Sequence, residues 1–329
     1  MSQTLGRFDL PLRTRASCLR QLYKTCGHHK LIPRSLEVSI FYYRNGSPTY
    51  SGGYADVYKG KHRGKDVAVK VIRTCSKSDI KKLFAAKVVI WKTLQHPHVL
   101  PLIGVTTSKG RFAMVSEWMN NGNINEFVKA NPDINRLKLL GGVAKGLIYI
   151  HQQGMIHGDL KGANIVIDQT GNALLADFGL LTIVSNMANS SPPAQGGTTR
   201  WMSPELIYPE QYGFETSRPT VSSDCYALGM VIYETISGNR PFHTDKVPAT
   251  IAKVLRGVHP HRGVGFADDL WGMLKRCWKT RADERPGVED VLRCLKTNSN
   301  FSVQPYPGMD LAKESCPVPI SVSPPFIHS

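Results

Sequence analysis

Acidic side chains are in short supply in this sequence: 25 Asp and Glu stand against 41 Lys and Arg, for a formal net charge of +16. The shortage is local. Residues 1–35 carry seven Lys/Arg against one Asp, residues 48–119 thirteen against four, and residues 120–329 twenty against nineteen. A basic first third favours a polyphosphate, a nucleic acid or an acidic surface as partner. Aromatic residues make up only 9% of the chain. None interleaves with the basic runs, so nucleic acid is not an expected partner. Cysteine is too thin for a framework. The seven (Cys18, Cys26, Cys75, Cys225, Cys277, Cys294, Cys316) are odd in number, scattered and never in a C-x-x-C pair. That excludes a disulfide scaffold or zinc ribbon, and predicts reduced thiols in an intracellular, cytoplasmic or nuclear setting. "CGHH" at 26–29 has no second ligand pair to close a metal site. No apolar run approaches the 18 residues of a spanning helix, and "MSQTLGRFDLPLRTR" lacks the apolar centre of a signal peptide.

What is present is ordinary for a globular protein: 41% hydrophobic and 20% charged residues over 329 positions. That is enough for one large core or two moderate ones. Residues 1–45 read as a basic extension, with a helix-compatible stretch over 14–26 and a break at "GHHK" and Pro33. From about 36 to 72 the pattern turns to strands, and the strand-rich lobe is expected over 46 to about 117. "DVYKGKHRGKDVAVKVI" alternates around a glycine turn and predicts a hairpin; "HPHVLPLIGV" and "RFAMVSEW" predict two further strands. Between them, "LFAAKVVIWKTLQH" places Leu83, Phe84, Val88, Trp91 and Leu94 on one helical face. Lys87 shares that face, either as a snorkelling edge residue or as a charge aimed inward. Helical periodicity then covers 123–150 and 223–237, and returns in "LWGMLKRCW" and "GVEDVLRCL" up to 297. The tail, 298–329, holds six of the 21 prolines and predicts no packed structure. A small strand-rich part ahead of a larger helical part, 120–297, predicts an α+β protein of two lobes with a cleft between them.

Two loops carry the chemistry. "HGDLKGAN" (157–164) sets an Asp, a Lys two residues on and an Asn five residues on, which turn formation alone could explain. "DFG" at 177–179 weighs against that reading. Together the loops offer a carboxylate to receive a hydroxyl proton (Asp159) and a cation for a transferring phosphoryl group (Lys161). They also offer two oxygen ligands for Mg²⁺, Asn164 and Asp177. "VAVK" ends a strand on Lys70, a cation able to reach phosphates. With "GGYADVYKG", "HPHVLPLIGV", "RWMSPE", "SDCYALGMVIYE" and "RADERP" in the same order, the chain from about 46 to 297 resembles the eukaryotic protein kinase family. "DLKGAN" beside "RWMSPE" and "CWKTRADERP" is similar to the tyrosine-kinase-like group of serine/threonine kinases.

The resemblance implies a two-lobed kinase fold with ATP and Mg²⁺ in the cleft, and protein Ser/Thr hydroxyls as acceptors. By matching motif, Asp159 would orient or deprotonate the acceptor hydroxyl, and Lys161 would steady the γ-phosphate. Asn164 and Asp177 would hold the metal, and Lys70 would contact the α/β-phosphates. Gly52 and Gly53 would approach the phosphates from the loop. Val57, Ala68 and Val166 would sandwich adenine. Ser116 would back the pocket, and the backbone around Glu117 and Met119 would pair with the base. Trp91, His157 and Phe178 would stack, and Glu205 with Arg285 would form a buried ion pair.

Three departures qualify the match. Tyr50 and Ala55 stand where the glycine-rich loop should have glycine, which predicts a stiffer loop and weaker nucleotide binding. Gly158 replaces the arginine that would pair with an activation-loop phosphate, so control through Ser185, Ser190, Ser191, Thr198 or Thr199 is not expected. Lys87 stands nine residues before His96, where the family's helix has a glutamate partner for Lys70. Residues 80–96 contain no acid to replace it, so Lys87 should turn toward solvent or Asp177, or the helix should sit rotated outward. The alternative is therefore a pseudokinase, a binding or scaffold module of the same fold with little turnover.

Overall fold

The alternation in the first strand-like segment folds as its period requires. In the computed structural model, which describes residues 32–41, 47–52, 55–73, 84, 88–89, 91–108, 111–177 and 198–298, β2 (Ala55–His62) and β3 (Lys65–Ile72) pair antiparallel. Arg63 and Gly64 form the two-residue turn, with φ of 49° and 79°. Positive φ at both positions gives the turn a twist that matches the strands. Val67, Val69 and Val71 point to one face and are buried. A two-residue β1 (Tyr50–Ser51) joins β2, while β4 (Leu102–Ser108) and β5 (Arg111–Glu117) extend the other side. The order is β1-β2-β3-β5-β4.

The described residues of the following apolar stretch, Phe84, Val88, Val89 and 91–93, are helical. Phe84, Val88, Trp91 and Leu94 are buried beneath the sheet. Phe84 stacks on Phe112 of β5 with centroids 5.0 Å apart. Lys87, Gly53, Phe178, Ser185, Ser190, Ser191, the 14–26 stretch and the tail beyond 298 lie outside the described residues.

The extension does not stop short of the sheet. Leu36, Val38 and Ile40 alternate at period two, in line with the strand pattern expected from about 36. Leu36 is buried in the main core, and Val38 and Ile40 pack against Val67, Val69, Val71, Ala113 and Val115. The Val38 amide donates to Val105 O (2.8 Å), and Phe41 and Lys61 exchange hydrogen bonds of 2.9 and 2.7 Å. Residues 34–41 therefore form a strap over the outer face of the sheet.

A second difference lies in 123–150, which is two helices: α1 (Ile124–Ala130) and α2 (Arg136–Gln152). Asn131-Pro132 ends the first, because a residue before proline is pushed out of the helical region. The Asn135 side chain caps the second. Hairpin β6 (Ile165–Ile167) and β7 (Ala173–Leu175) lies beyond α2. A four-residue α3 (Pro204–Ile207) precedes α4 (Val221–Ser237). Every residue of α4 from Ser223 to Ser237 is buried, as befits a helix apolar on nearly all sides. On it packs α6 (Asp268–Cys277), while α7 (Val288–Thr297) lies against α2 and α6, and α5 (Val247–Leu255) against α3. Among the described residues no helix is long and apolar enough to cross a membrane.

Candidate active site

Sheet and helices meet at a cleft of about 370 Å³. Its roof is Tyr50, Gly52, Ala55, Val57, Ala68 and Lys70, carried by β1 to β3. Ser116, Glu117, Trp118 and Met119 form one wall where β5 leaves the sheet, and Val166 of β6 lies in the floor. Register explains the convergence: Lys70 pairs with Val57, and Ala68 pairs with both Lys59 and Ser116. Trp91 and Met114 line the cleft as well. The Trp91 indole N–H donates to Leu100 O at 2.7 Å.

The loop after α2 is shaped by one buried carboxylate. Asp224, in the first turn of α4, accepts the backbone N–H of His157 (2.8 Å) and of Gly158 (2.9 Å). His151 lies 2.8 Å from the same side chain. Gly158 has φ 74°, a conformation that glycine adopts without strain. The Asp159 N–H then donates to His157 Nδ1 (3.3 Å). His157 is wholly buried, and burial holds its pKa below the ordinary value, so the ring is neutral and Nδ1 can accept.

Asp159 emerges with its carboxylate fixed. Lys161 Nζ donates to both oxygens at 3.2 Å, and Asn164 Nδ2 donates to Oδ2 at 2.9 Å and to Asp159 O at 2.7 Å. Lys161 also donates to Thr198 Oγ1 at 2.8 Å. Across the cleft, Lys70 Nζ meets Asp177 Oδ2 at 2.5 Å. A carboxylate, its two donor side chains and a second ion pair facing them thus share one cleft. The groups can accept a proton from a hydroxyl and neutralise an anionic group beside it.

The donor set fits a hard divalent cation. Asn164 turns its amide nitrogen toward Asp159, leaving Oδ1 as its acceptor atom, and Asp177 supplies a carboxylate from the same cleft. One carboxylate and one amide oxygen suit a metal that keeps water and phosphate in its shell. Asp177 has φ 61°, a left-handed backbone in a non-glycine residue, the kind of strain that gathers at functional sites.

The loop between β1 and β2 is tied down by side chains. Arg73, just beyond β3, donates from Nη2 to Ser51 Oγ (2.6 Å) and to Gly52 O, and pairs with Asp56 Oδ1 (3.0 Å). Ser51 Oγ also donates to Asp56 Oδ1 (2.9 Å). Farther away, Arg285 grips Glu205 with two hydrogen bonds of 2.7 Å, both side chains almost wholly buried. A second buried acid, Glu234 of α4, accepts from Gly162 N (3.0 Å), Asn125 Nδ2 (2.8 Å) and Trp201 Nε1 (3.0 Å). Burial raises its pKa.

Asp159, Lys161, Asn164, Asp177, Lys70, Gly52, Val57, Ala68, Ser116, Glu117, Met119 and Val166 all line the cleft. His157, Glu205 and Arg285 stand outside it. Sequence reasoning missed Asp224, Glu234, Arg73 and Trp118, and took Thr198 only as a modification candidate. Asp224 and Glu234 sit inside the quoted "SDCYALGMVIYE", where their burial in an apolar helix was the available signal. Arg73 and Trp118 gave no sequence signal.

Comparison with known proteins agrees with this geometry. A family model described as protein tyrosine and serine/threonine kinase matches residues 47–295. Serine/threonine-protein kinase STY46 of Arabidopsis thaliana is 29% identical over 79% of this chain and 45% of its own length. Mouse serine/threonine-protein kinase TNNI3K is 30% identical over 75% of this chain and 30% of its own. An Arabidopsis thaliana L-type lectin-domain containing receptor kinase is 29% identical over 83% and 43%. The chain thus spans less than half the length of these relatives. Since the matched segment includes the whole described cleft, this chain belongs to the protein tyrosine and serine/threonine kinase family, in its tyrosine-kinase-like group.

Proposed function

We propose that this chain is a Mg·ATP-dependent protein serine/threonine kinase, with residues 46–297 as its kinase domain. The observation that carries the reading is the Asp159–Lys161–Asn164 hydrogen-bonded set facing the Lys70–Asp177 pair in one cleft. Bound Mg·ATP supplies the phosphoryl group and much of the charge neutralisation. Asp159 takes the proton of the acceptor hydroxyl. Lys161, already beside Asp159, sits where negative charge builds on the transferring group. Lys70, beside Asp177, would meet the phosphates, and Asp177 with Asn164 Oδ1 would hold the metal. Val57, Ala68 and Val166 enclose the base, and Ser116 leaves room behind it. Lys161 within "DLKGAN" and the serine/threonine kinases among the relatives support Ser/Thr acceptors. Free Cys225, Cys277 and Cys294 support a reducing, cytoplasmic setting.

The test incubates the protein with labelled ATP, Mg²⁺ and a generic basic protein, beside Asp159→Asn and Asp177→Ala. Native protein should transfer label to serine or threonine. Asp159→Asn should lose at least a hundredfold while still binding nucleotide. Asp177→Ala should lose the Mg²⁺ dependence of nucleotide binding. Equal label from native and Asp159→Asn protein overturns the enzyme reading and leaves a kinase-fold binding module; predominant phosphotyrosine overturns the Ser/Thr assignment.

A further inference from the structure

The residue that departs most from the expected glycine-rich loop has partners on the opposite side of the cleft. Tyr50 leaves β1, and its ring faces Trp118 with centroids 6.2 Å apart and planes tilted by 31°. Its hydroxyl donates to Glu126 Oε2 of α1 at 3.5 Å. β1 belongs to the roof, Trp118 follows β5, and α1 begins the helical lobe, so one side chain spans the mouth from roof to floor.

Both receiving groups are held in place. The Trp118 N–H donates to Asp66 O (3.2 Å), and Lys59 Nζ lies 5.3 Å from the indole centroid, within cation–π range. Glu126 Oε2 accepts the Asn123 N–H at 3.0 Å, closing the capping box of α1. Gly122, at φ 68°, lets the carboxylate lie there: a Cβ at that position would stand 2.3 Å from Oε2. Burial first, and the Glu126 charge second, raise the pKa of the Tyr50 hydroxyl, which keeps it a donor. Tyr50, Trp118, Gly122 and Asn123 all line the cleft. Tyr50 as a residue is 45% exposed, so it is not there to fill a core.

We propose that Tyr50 is a nucleotide-retaining residue, a side chain that closes the mouth of the ATP cleft against Trp118 and Glu126 and slows both entry and release of the nucleotide. The inference rests on the kinase reading of the cleft. A glycine at this position leaves the mouth open at all times. A tyrosine makes exchange wait for the ring to leave Trp118 and the hydroxyl to leave Glu126. The loop can carry this role because Arg73 anchors its other side through Ser51, Gly52 and Asp56. Loss of glycine at Tyr50 is then a gain of control over exchange rather than an erosion of the site.

The test is stopped-flow mixing of native, Tyr50→Phe, Tyr50→Gly and Glu126→Gln proteins with Mg·ATP, read by tryptophan fluorescence. The slope of the observed rate against concentration gives association, and its intercept gives release. Tyr50→Gly should raise both rates at least fivefold, since it removes an aromatic pair and a hydrogen bond to a charged acceptor. Tyr50→Phe keeps the ring and should stay closer to native than Tyr50→Gly. Glu126→Gln keeps the acceptor of the capping box but not its charge, and should raise both rates about twofold. Equilibrium dialysis with labelled ATP shows beforehand whether each protein binds nucleotide. Native binding with both rates within twofold of native in Tyr50→Gly overturns the role of Tyr50 alone. Absence of binding in native protein whose thermal unfolding is intact overturns the kinase reading, and this role with it.

Discussion

Asp177 and Gly158 both sit in the left-handed region, at φ 61° and 74°, but only the aspartate carries a cost for it. Types and spacings led to polar residues that line the cleft, because the chemistry proposed for them needs particular atoms. What they could not give was pairing, since Lys70 finds Asp177 through the fold and Thr198 reaches Lys161 across 37 positions. The Glu205–Arg285 pair is a case where position and burial were both expected, but the further partners of the guanidinium were not. Arg285 also donates to the backbone oxygens of Lys279, Thr280 and Ser222, so its charge is satisfied only while the carboxylate stays in place. Glu205→Ala leaves that guanidinium buried without its anion and should cost about 3–5 kcal/mol. Urea unfolding measures it, and the Glu205→Ala, Arg285→Met double variant should recover part of the loss. A loss below about 1 kcal/mol for Glu205→Ala would mean that the pair contributes little to the fold.

Elements were legible in proportion to the length and purity of their period. The β2–β3 hairpin and the face of Phe84, Val88, Trp91 and Leu94 followed from alternation and from helical spacing. Asn131-Pro132 was a readable break that a longer helical window overran. The strand-like pattern from about 36 was legible, but its place as a strap over the sheet was not, because pairing and packing partners are set by the fold. Its passage depends on Gly104 of β4: a Cβ there would lie 2.5 Å from Leu36 O and 2.6 Å from Val38 Cγ1. A backbone oxygen cannot turn aside as a flexible side chain can. Gly104→Ala should therefore lift the strap, lowering stability by about 1–3 kcal/mol. It should also speed hydrogen exchange at the Val38, Phe41 and Lys61 amides, which the strap protects. Unchanged exchange at all three amides would show that the strap does not depend on Gly104.

At the scale of the molecule, two lobes around a cleft were legible from the order of strand-rich and helical segments, whereas the pH dependence of the whole depends on burial that only the fold supplies. His157 is wholly buried and neutral, with its pKa pushed down chiefly by desolvation. The unfolded chain carries an ordinary histidine with a pKa of about 6.5. Below that pH the unfolded state binds a proton that the native state refuses, so stability rises with pH there and falls on acidification. The slope is roughly 1.4 kcal/mol per pH unit for one fully buried histidine. Burial also lowers the pKa of His96 and His259, and these more open rings add smaller terms of the same sign. Glu234 opposes them. Its raised pKa lets the native state keep a proton that the unfolded state has lost above 4.5, so its contribution fades as pH rises above that value. Three histidines against one acid should leave the urea midpoint lower at pH 5.5 than at pH 7.5. Phosphotransfer should fall in the same window, because a protonated His157 Nδ1 can no longer accept the Asp159 N–H, and the loop that presents the carboxylate loses that support. A midpoint at pH 5.5 equal to or above that at pH 7.5 would show that these histidines take up protons without opening the fold.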